Sequence, residues 1–78
     1  MKPFNLEACI RGEKVVTRDG REYKFGAYNP EAEEDCVLIG WINGVYKSHY
    51  SDGRFFLKNE DESDLFMYEP PKVKRVVG

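Results

Sequence analysis

The most regular feature of the hydrophobic pattern is a series of apolar runs separated by short turn sequences. Asp19-Gly20, Asn43-Gly44 and Asp52-Gly53 each lie between segments that are rich in Val, Ile, Tyr, Phe and Thr. Asp-Gly and Asn-Gly favour two-residue type I′ turns, in which both central residues have positive φ. The pattern therefore predicts three hairpins in a mainly β protein.

The first hairpin is predicted around Asp19-Gly20. With a two-residue loop, Arg18 would face Arg21 and Val16 would face Tyr23 across the pair of strands. Two facing arginines repel each other unless a neighbouring carboxylate or a bound anion offsets their charge. The tip of this hairpin is therefore either simply solvated or a point of contact with an anionic group.

A three-stranded meander is predicted over residues 37–42, 45–51 and 54–58. Strand side chains alternate between two faces, so counting outward from both turns sorts them into two sets. We expect the core face to contain Val37, Ile39, Trp41, Tyr46, Ser48, Tyr50, Phe55 and Leu57. The opposite face then collects Leu38, Gly40, Ile42, Val45, Lys47, His49, Ser51, Arg54, Phe56 and Lys58.

The two ends of the chain complete the predicted fold. Asn5 can cap a short helix whose apolar positions Leu6, Cys9 and Ile10 share one face, and this face must rest on the sheet because so short a helix is unstable alone. The apolar segment 65–68 is expected either to pack back on the barrel or to pair with an open sheet edge. The sequence thus predicts a mainly β, small α+β fold, with a short N-terminal helix and about five antiparallel strands in an SH3-like or Sm-like small barrel or bent sheet.

The 78 residues are long enough for one domain, which we place over residues 1–69, followed by a basic, extended and mobile tail over 70–78. The net charge of −2 opposes nucleic-acid binding driven by overall charge. All fourteen acidic residues but only nine of the twelve basic residues precede Pro70. The formal net charge is therefore −5 for the chain through Glu69 and +3 for the residues after it. The folded body is therefore acidic and the tail basic.

Two acidic loops carry most of this negative charge. We predict that they form a protein-binding surface with the carboxylates of Glu31, Glu33, Glu34, Asp35, Glu60, Asp61 and Glu62. The spacing of these residues does not match a calcium-binding loop, because Asp64 and Pro70 stand where such a loop needs Gly and Glu. The expected partner is another protein, and no metal or cofactor is expected.

The alternative is a small barrel that binds single-stranded nucleic acid. Such barrels combine aromatic side chains with a basic groove. The candidate residues are Lys47, Arg54, Phe56 and Lys58, which fall on one strand face in the predicted register.

The sequence contains no recognisable set of catalytic residues. His49 is the one histidine, no acid is placed by sequence to orient it, and we expect it at the surface or rim of the barrel. Cys9 and Cys36 lack metal-binding or redox spacing and are expected to be small buried side chains. No apolar run approaches the roughly 20 residues that span a membrane, so we expect a cytoplasmic, non-enzymatic protein with no membrane contact.

Several segments carry a resemblance to known sequences. Residues Leu6-Glu7-Ala8 with Gly12, the run from Val15 to Arg21, Ile39 to Ile42, Asp52-Gly53-Arg54 and Asp64 to Met67 resemble a set of short phage and prophage-encoded proteins of uncharacterised function. The resemblance implies a phage accessory factor in a bacterial host cell and assigns no functional residues. The predicted order of a short helix and five strands is also similar to the Sm-like small barrel, as an analogy of fold.

Overall fold

A computed structural model describes residues 2–70 of the chain. Its elements are β1 (Lys2–Pro3), α1 (Leu6–Ile10), β2 (Val15–Thr17), β3 (Glu22–Tyr28), a 3₁₀ helix (Glu34–Cys36), β4 (Leu38–Ile42), β5 (Val45–His49) and β6 (Leu65–Met67). The predicted basic tail, from residue 71 onward, lies outside the described residues.

The strands form one antiparallel sheet in the order β1-β6-β2-β3-β4-β5. The sheet is bent but open, with β1 and β5 at its edges. The prediction of a mainly β fold with a short N-terminal helix and a bent sheet is therefore confirmed. The last apolar segment pairs with β2, which is one of its two expected placements, and on its other side it pairs with β1, which sequence reasoning did not predict.

Helix α1 begins as predicted, because the Asn5 side chain accepts a hydrogen bond of 3.1 Å from the Ala8 N–H. Its buried face differs from the prediction. Ala8 and Cys9 are buried, whereas Ile10 is 45% exposed. The helix packs on β3 with the face that contains Ala8 and Cys9, so Ile10 points toward solvent.

The first hairpin has a three-residue loop, so its predicted register was wrong by one residue. The Thr17 N–H donates to the Arg21 carbonyl at 2.8 Å, and the Gly20 N–H donates back to the Thr17 carbonyl at 2.9 Å. Gly20 has a φ of 88°, which is typical of a type I turn followed by a glycine bulge. As a result Val15, and not Val16, lies opposite Tyr23.

The second hairpin is the predicted type I′ turn, with φ of 50° at Asn43 and 77° at Gly44. Its register is confirmed, since Ile42 lies opposite Val45 and Trp41 opposite Tyr46. The choice of core face was wrong, however. Leu38, Ile42 and His49 are buried, whereas Trp41 and Tyr46 are 41% and 57% exposed.

The inversion of faces follows from the pairing of β4 with β3. Ile42 lies opposite Tyr23, and Gly40 lies opposite Phe25. The Tyr23 ring crosses Gly40 so closely that a Cβ on Gly40 would overlap it. The even-numbered positions of β4 therefore share a face with buried Tyr23, and Trp41 is left on the outer face.

The third predicted hairpin forms only its turn. The Tyr50 N–H donates to the Arg54 carbonyl at 2.9 Å, and Gly53 has a φ of 86°. Residues 54–58 then form no strand, contrary to the prediction. This segment is bonded to the start of β6 instead, since the Gly53 carbonyl accepts from the Leu65 N–H and the Phe55 N–H donates to the Asp64 carboxylate.

The core lies between α1 and the inner face of the sheet. It contains Ala8, Cys9, Val15, Tyr23, Val37, Leu38, Ile42, Leu65 and Met67. Cys9 is buried as predicted, and this burial raises the pKa of its thiol to about 11. Cys36 is only half-buried, so the prediction for the second cysteine was wrong.

Candidate functional site

His49 is buried in the core, so the prediction of a surface or rim histidine was wrong. Its Nε2 lies 2.7 Å from the Ser63 carbonyl oxygen, and because a carbonyl can only accept, Nε2 carries the proton. The rings of Tyr23 and Phe55 pack edge-on at 5.7 and 5.4 Å between centroids. Among the described residues, His49 Nδ1 has no hydrogen-bond partner. His49 therefore ties β5 to the segment before β6.

This burial makes an acid-sensitive contribution to stability. Burial lowers the pKa of His49, and the repulsion of Lys47 adds to it, while the Ser63 carbonyl, Asp64 and Asp61 pull the pKa upward without restoring it. The neutral form is thus favoured in the folded state, so stability is present above the unfolded-state pKa of about 6.5 and is lost as pH falls below it.

We expect the urea concentration at the unfolding midpoint of the wild-type protein to decrease as the pH is lowered from 7 to 5. His49→Gln can keep a donor to Ser63 but cannot take up a proton, so this variant should show a flatter pH dependence from a lower starting stability. Urea titrations of both proteins at four pH values provide the measurement. Parallel pH dependences would mean that His49 does not carry the acid sensitivity.

The second acidic loop, residues 59–64, is organised around the buried carboxylate of Asp64. This carboxylate accepts hydrogen bonds from Arg18 Nη2 at 3.0 Å, the Phe55 N–H at 2.9 Å and the Asp61 N–H at 3.1 Å. Burial alone would raise the pKa of Asp64, but these donors and the charge of Arg18 outweigh it, and the pKa is lowered. Asp64 is thus an ionised structural residue.

The same loop meets the two arginines of the first hairpin. Arg18 Nη1 lies 3.9 Å from the Glu60 carboxylate, and Arg18 Nε donates to the Asp61 carbonyl at 3.2 Å. Arg21 donates to the Glu62 carbonyl at 3.5 Å and forms an ion pair with Asp19 at 2.8 Å. Arg18 lies in the three-residue loop and does not face Arg21 as predicted, because Thr17 takes the position opposite Arg21. Carboxylates and carbonyls of the same chain offset both arginine charges.

The predicted protein-binding residues of this loop thus have different environments. The Asp61 carboxylate accepts the Ser63 N–H at 2.8 Å and holds the loop in shape. Glu60 and Glu62 are exposed. The loop as a whole is anchored to the first hairpin by these contacts.

The first acidic loop presents its charge to solvent. Glu31, Glu33, Glu34 and Asp35 are all exposed, and within residues 2–70 none of them forms an ion pair. Asp35 accepts a hydrogen bond of 3.4 Å from the Cys36 thiol, which is the main cause of a raised pKa at Cys36. We call Glu31, Glu33, Glu34 and Asp35 the acidic loop from here on.

The acidic loop lies against the edge strand β5. The 3₁₀ helix that contains Glu34 and Asp35 contacts β5. One residue separates this helix from β4, whose first residue Leu38 lies opposite His49 of β5, so the contact lies toward the His49 end of the strand. Tyr46 and Ser48 of the same strand point to the outer face of β4 and β5.

That outer face carries a pair of exposed aromatic side chains. The Trp41 and Tyr46 rings pack edge to face, with 6.3 Å between their centroids. Trp41 also lies across Gly26, where an added Cβ would be 2.5 Å from the indole ring. We call Trp41 and Tyr46 the outer aromatic pair. The one sequence feature that points to it is a glycine in the middle of β3, which leaves room for a large neighbouring ring.

The residues of the nucleic-acid alternative are divided by the structure. Arg54 and Lys58 line a groove of about 470 Å³, but Asp52, Glu60 and Asp64 line the same groove. Arg54 lies 3.5 Å from the Asp52 carboxylate. Lys47 and Phe56 instead both pack on the Phe55 ring. Lys47 Nζ lies 5.5 Å from the centroid of this ring, and the ring centroids of Phe55 and Phe56 are 4.8 Å apart. Lys47 and Phe56 are therefore not among the residues that line this groove.

The chain matches no family model, no curated protein and no solved structure among those compared with it. Within residues 2–70 no helix has the length and apolar character needed to cross a membrane. In the same part of the chain, no three His, Cys, Asp or Glu side chains converge in a way that could hold a metal ion. The outer aromatic pair and the acidic loop are the surface features from which a function can be argued.

Proposed function

We propose that this chain is a non-enzymatic binding protein that contacts another protein through the outer aromatic pair and the adjoining acidic loop. The observation that carries the proposal is that strand β5 has two features beside it, the exposed rings of Trp41 and Tyr46 and a loop of four carboxylates that have no ion-pair partner among residues 2–70. The resemblance to short phage proteins supports a role as an accessory factor, with a bacterial host protein in the cytoplasm as the partner.

The outer aromatic pair has the properties of an energetic centre for an interface. Trp and Tyr are enriched among the residues that dominate protein–protein binding, because they bury a large area with few rotatable bonds. Contact with Gly26 on one side and Tyr46 on the other holds the Trp41 ring in place before a partner binds. Little side-chain entropy is then lost on association.

The acidic loop supplies charge for selecting a partner. Asp64 and Glu60 in the second loop already lie close to Arg18, whereas Glu34 and Asp35 form no ion pair with any residue between Lys2 and Pro70. Exposed carboxylates at the rim of an interface accelerate association with a basic surface and disfavour acidic ones. The partner surface is therefore expected to combine apolar and basic residues.

The test is capture of partners from nuclease-treated bacterial lysate by the tagged protein and its variants. Trp41→Ala and Tyr46→Ala should each reduce recovery of a stoichiometric partner by about tenfold or more, as expected for central interface aromatics. Ile10→Ala and Leu57→Ala are matched controls, because these side chains are also exposed and apolar but lie elsewhere. The controls should retain the partner.

Two results would contradict the proposal. One is equal recovery with the outer-pair variants and the controls. The other is recovery that disappears when nuclease is added, which would favour single-stranded nucleic acid and the residues Lys47, Arg54, Phe56 and Lys58.

A further inference from the structure

The type I′ turn determines which backbone groups of β5 point away from the sheet. A two-residue turn at Asn43-Gly44 makes Ile42 and Val45 a hydrogen-bonded pair, and such pairs alternate along an antiparallel ladder. Lys47 and His49 are therefore bonded to β4 as well. Tyr46 and Ser48 lie in the non-bonded positions, so their N–H and C=O groups point toward the open edge.

This edge has no strand beside it in the described part of the chain. β5 is the last strand in the order of the sheet. Across residues 2–70, no backbone hydrogen bond reaches Tyr46 or Ser48 from a loop or turn. An unpaired edge of this kind is a template to which an extended peptide can add as a further strand.

We infer that the β5 edge binds an extended basic segment of the partner protein, which adds to the sheet as a seventh strand. The inference rests on the proposed function and specifies how that partner is held. Alternate side chains of the added strand would stand on the outer face, next to Tyr46 and Ser48. Because the 3₁₀ helix that contains Glu34 and Asp35 contacts β5, basic side chains of the added strand would lie close to the acidic loop.

Charge identifies the occupant as a basic partner rather than a second copy of this chain. Antiparallel pairing of two β5 edges centred on Lys47 would place two Lys47 side chains opposite each other, and like charges across strands are destabilising. A basic segment is instead attracted by the acidic loop. Valine or isoleucine at the intervening positions would suit the extended conformation.

The experiment measures backbone amide exchange by NMR with a defined probe, the acetylated and amidated peptide Lys-Val-Lys-Val-Lys-Val-Lys-Val. In the protein alone, the Tyr46 and Ser48 amides should exchange quickly, and the Val45, Lys47 and His49 amides slowly. Binding of the probe should slow exchange at Tyr46 and Ser48 by about tenfold or more, since each amide then enters a ladder. The matching Glu-Val peptide should not bind.

A pair of variants tests the backbone contact separately from the side chain. Ser48→Pro deletes the outward N–H, and it leaves the β4 ladder intact because Ser48 is not bonded to β4. It should weaken peptide binding roughly three- to tenfold, the equivalent of one lost hydrogen bond, whereas Ser48→Ala should change it less than about twofold. Unchanged slow exchange at Lys47 will show that the proline variant keeps its sheet.

The outcomes separate the inference from the proposed function. If the peptide binds and Trp41→Ala weakens it, but Tyr46 and Ser48 exchange as before, then the partner lies on the outer face and the edge inference is overturned while the proposed function stands. Failure of the peptide to bind at about 1 mM also overturns the edge inference. The proposed function falls only if capture from lysate is indifferent to Trp41 and Tyr46.

Discussion

Asp64→Ala is expected to lower the free energy of unfolding by about 3 kcal/mol or more, the range found when one partner of a buried charged network is removed. The Asp64 side chain is 7% exposed and accepts hydrogen bonds from Arg18 and from the backbone of Phe55 and Asp61. Its removal leaves those donors without an acceptor. The segment between β5 and β6 then loses its link to the first hairpin.

Urea denaturation followed by tryptophan fluorescence measures this change. Glu62→Ala is a suitable control, because this exposed carboxylate belongs to the same loop, and the midpoint should match that of the wild-type protein. Asp64→Asn should lie between the two, since the amide oxygen can still accept from a backbone N–H. A wild-type midpoint for Asp64→Ala would show that the carboxylate does not organise the loop.

Gly40→Ala is expected to have a comparable effect, about 3 kcal/mol, although it adds a single methyl group. Gly40 lies in β4 with the ring and hydroxyl of Tyr23 across it. An added Cβ would overlap that ring and also the main-chain oxygen of Lys24, which cannot move without breaking the pairing of β3 with β4. Overpacking against a backbone atom is relieved only by displacing a strand.

Gly44→Ala provides the matched comparison. Gly44 has a φ of 77° but no atom within 4 Å of an added Cβ, so its cost is backbone strain alone, about 1 kcal/mol. The midpoint temperature of thermal unfolding should therefore be well below that of Gly44→Ala in the Gly40→Ala variant. The reverse order would mean that Tyr23 does not pack across Gly40.

The turn type was predicted correctly only for Asn43-Gly44. Asn43-Gly44 gave the correct register because both of its central residues adopt positive φ. The two Asp-Gly sequences occur instead at the end of three-residue loops, where only Gly20 and Gly53 have positive φ. A local pattern does not distinguish these turns, because each one places Gly at the left-handed position.

The inward face of the meander could not be predicted from its own alternation. Both faces of β4 and β5 carry apolar residues, so the pattern was consistent with either orientation. Pairing with β3 and the contact between Tyr23 and Gly40 decide it. His49 was assigned to the surface for the same reason, since its burial depends on Ser63, fourteen residues along the chain.

The acidic residues were identifiable from sequence, but their environments were not. Arg18 reaches Asp64, which is 46 residues away in the chain, and no periodic pattern signals a contact at that separation. This contact gives the second acidic loop a structural role. It leaves Glu34 and Asp35, in the 3₁₀ helix that contacts β5, as the charged part of the proposed interface.

The most direct test of this account compares two double charge reversals in the lysate capture. Glu34→Lys with Asp35→Lys alters the acidic loop next to β5, and Glu60→Lys with Glu62→Lys makes the same change of charge in the second loop. The first variant should lose the partner about tenfold or more, and the second should retain it within roughly twofold. Equal losses, or a loss confined to the second variant, would contradict the assignment of the interface to the outer face of β4 and β5.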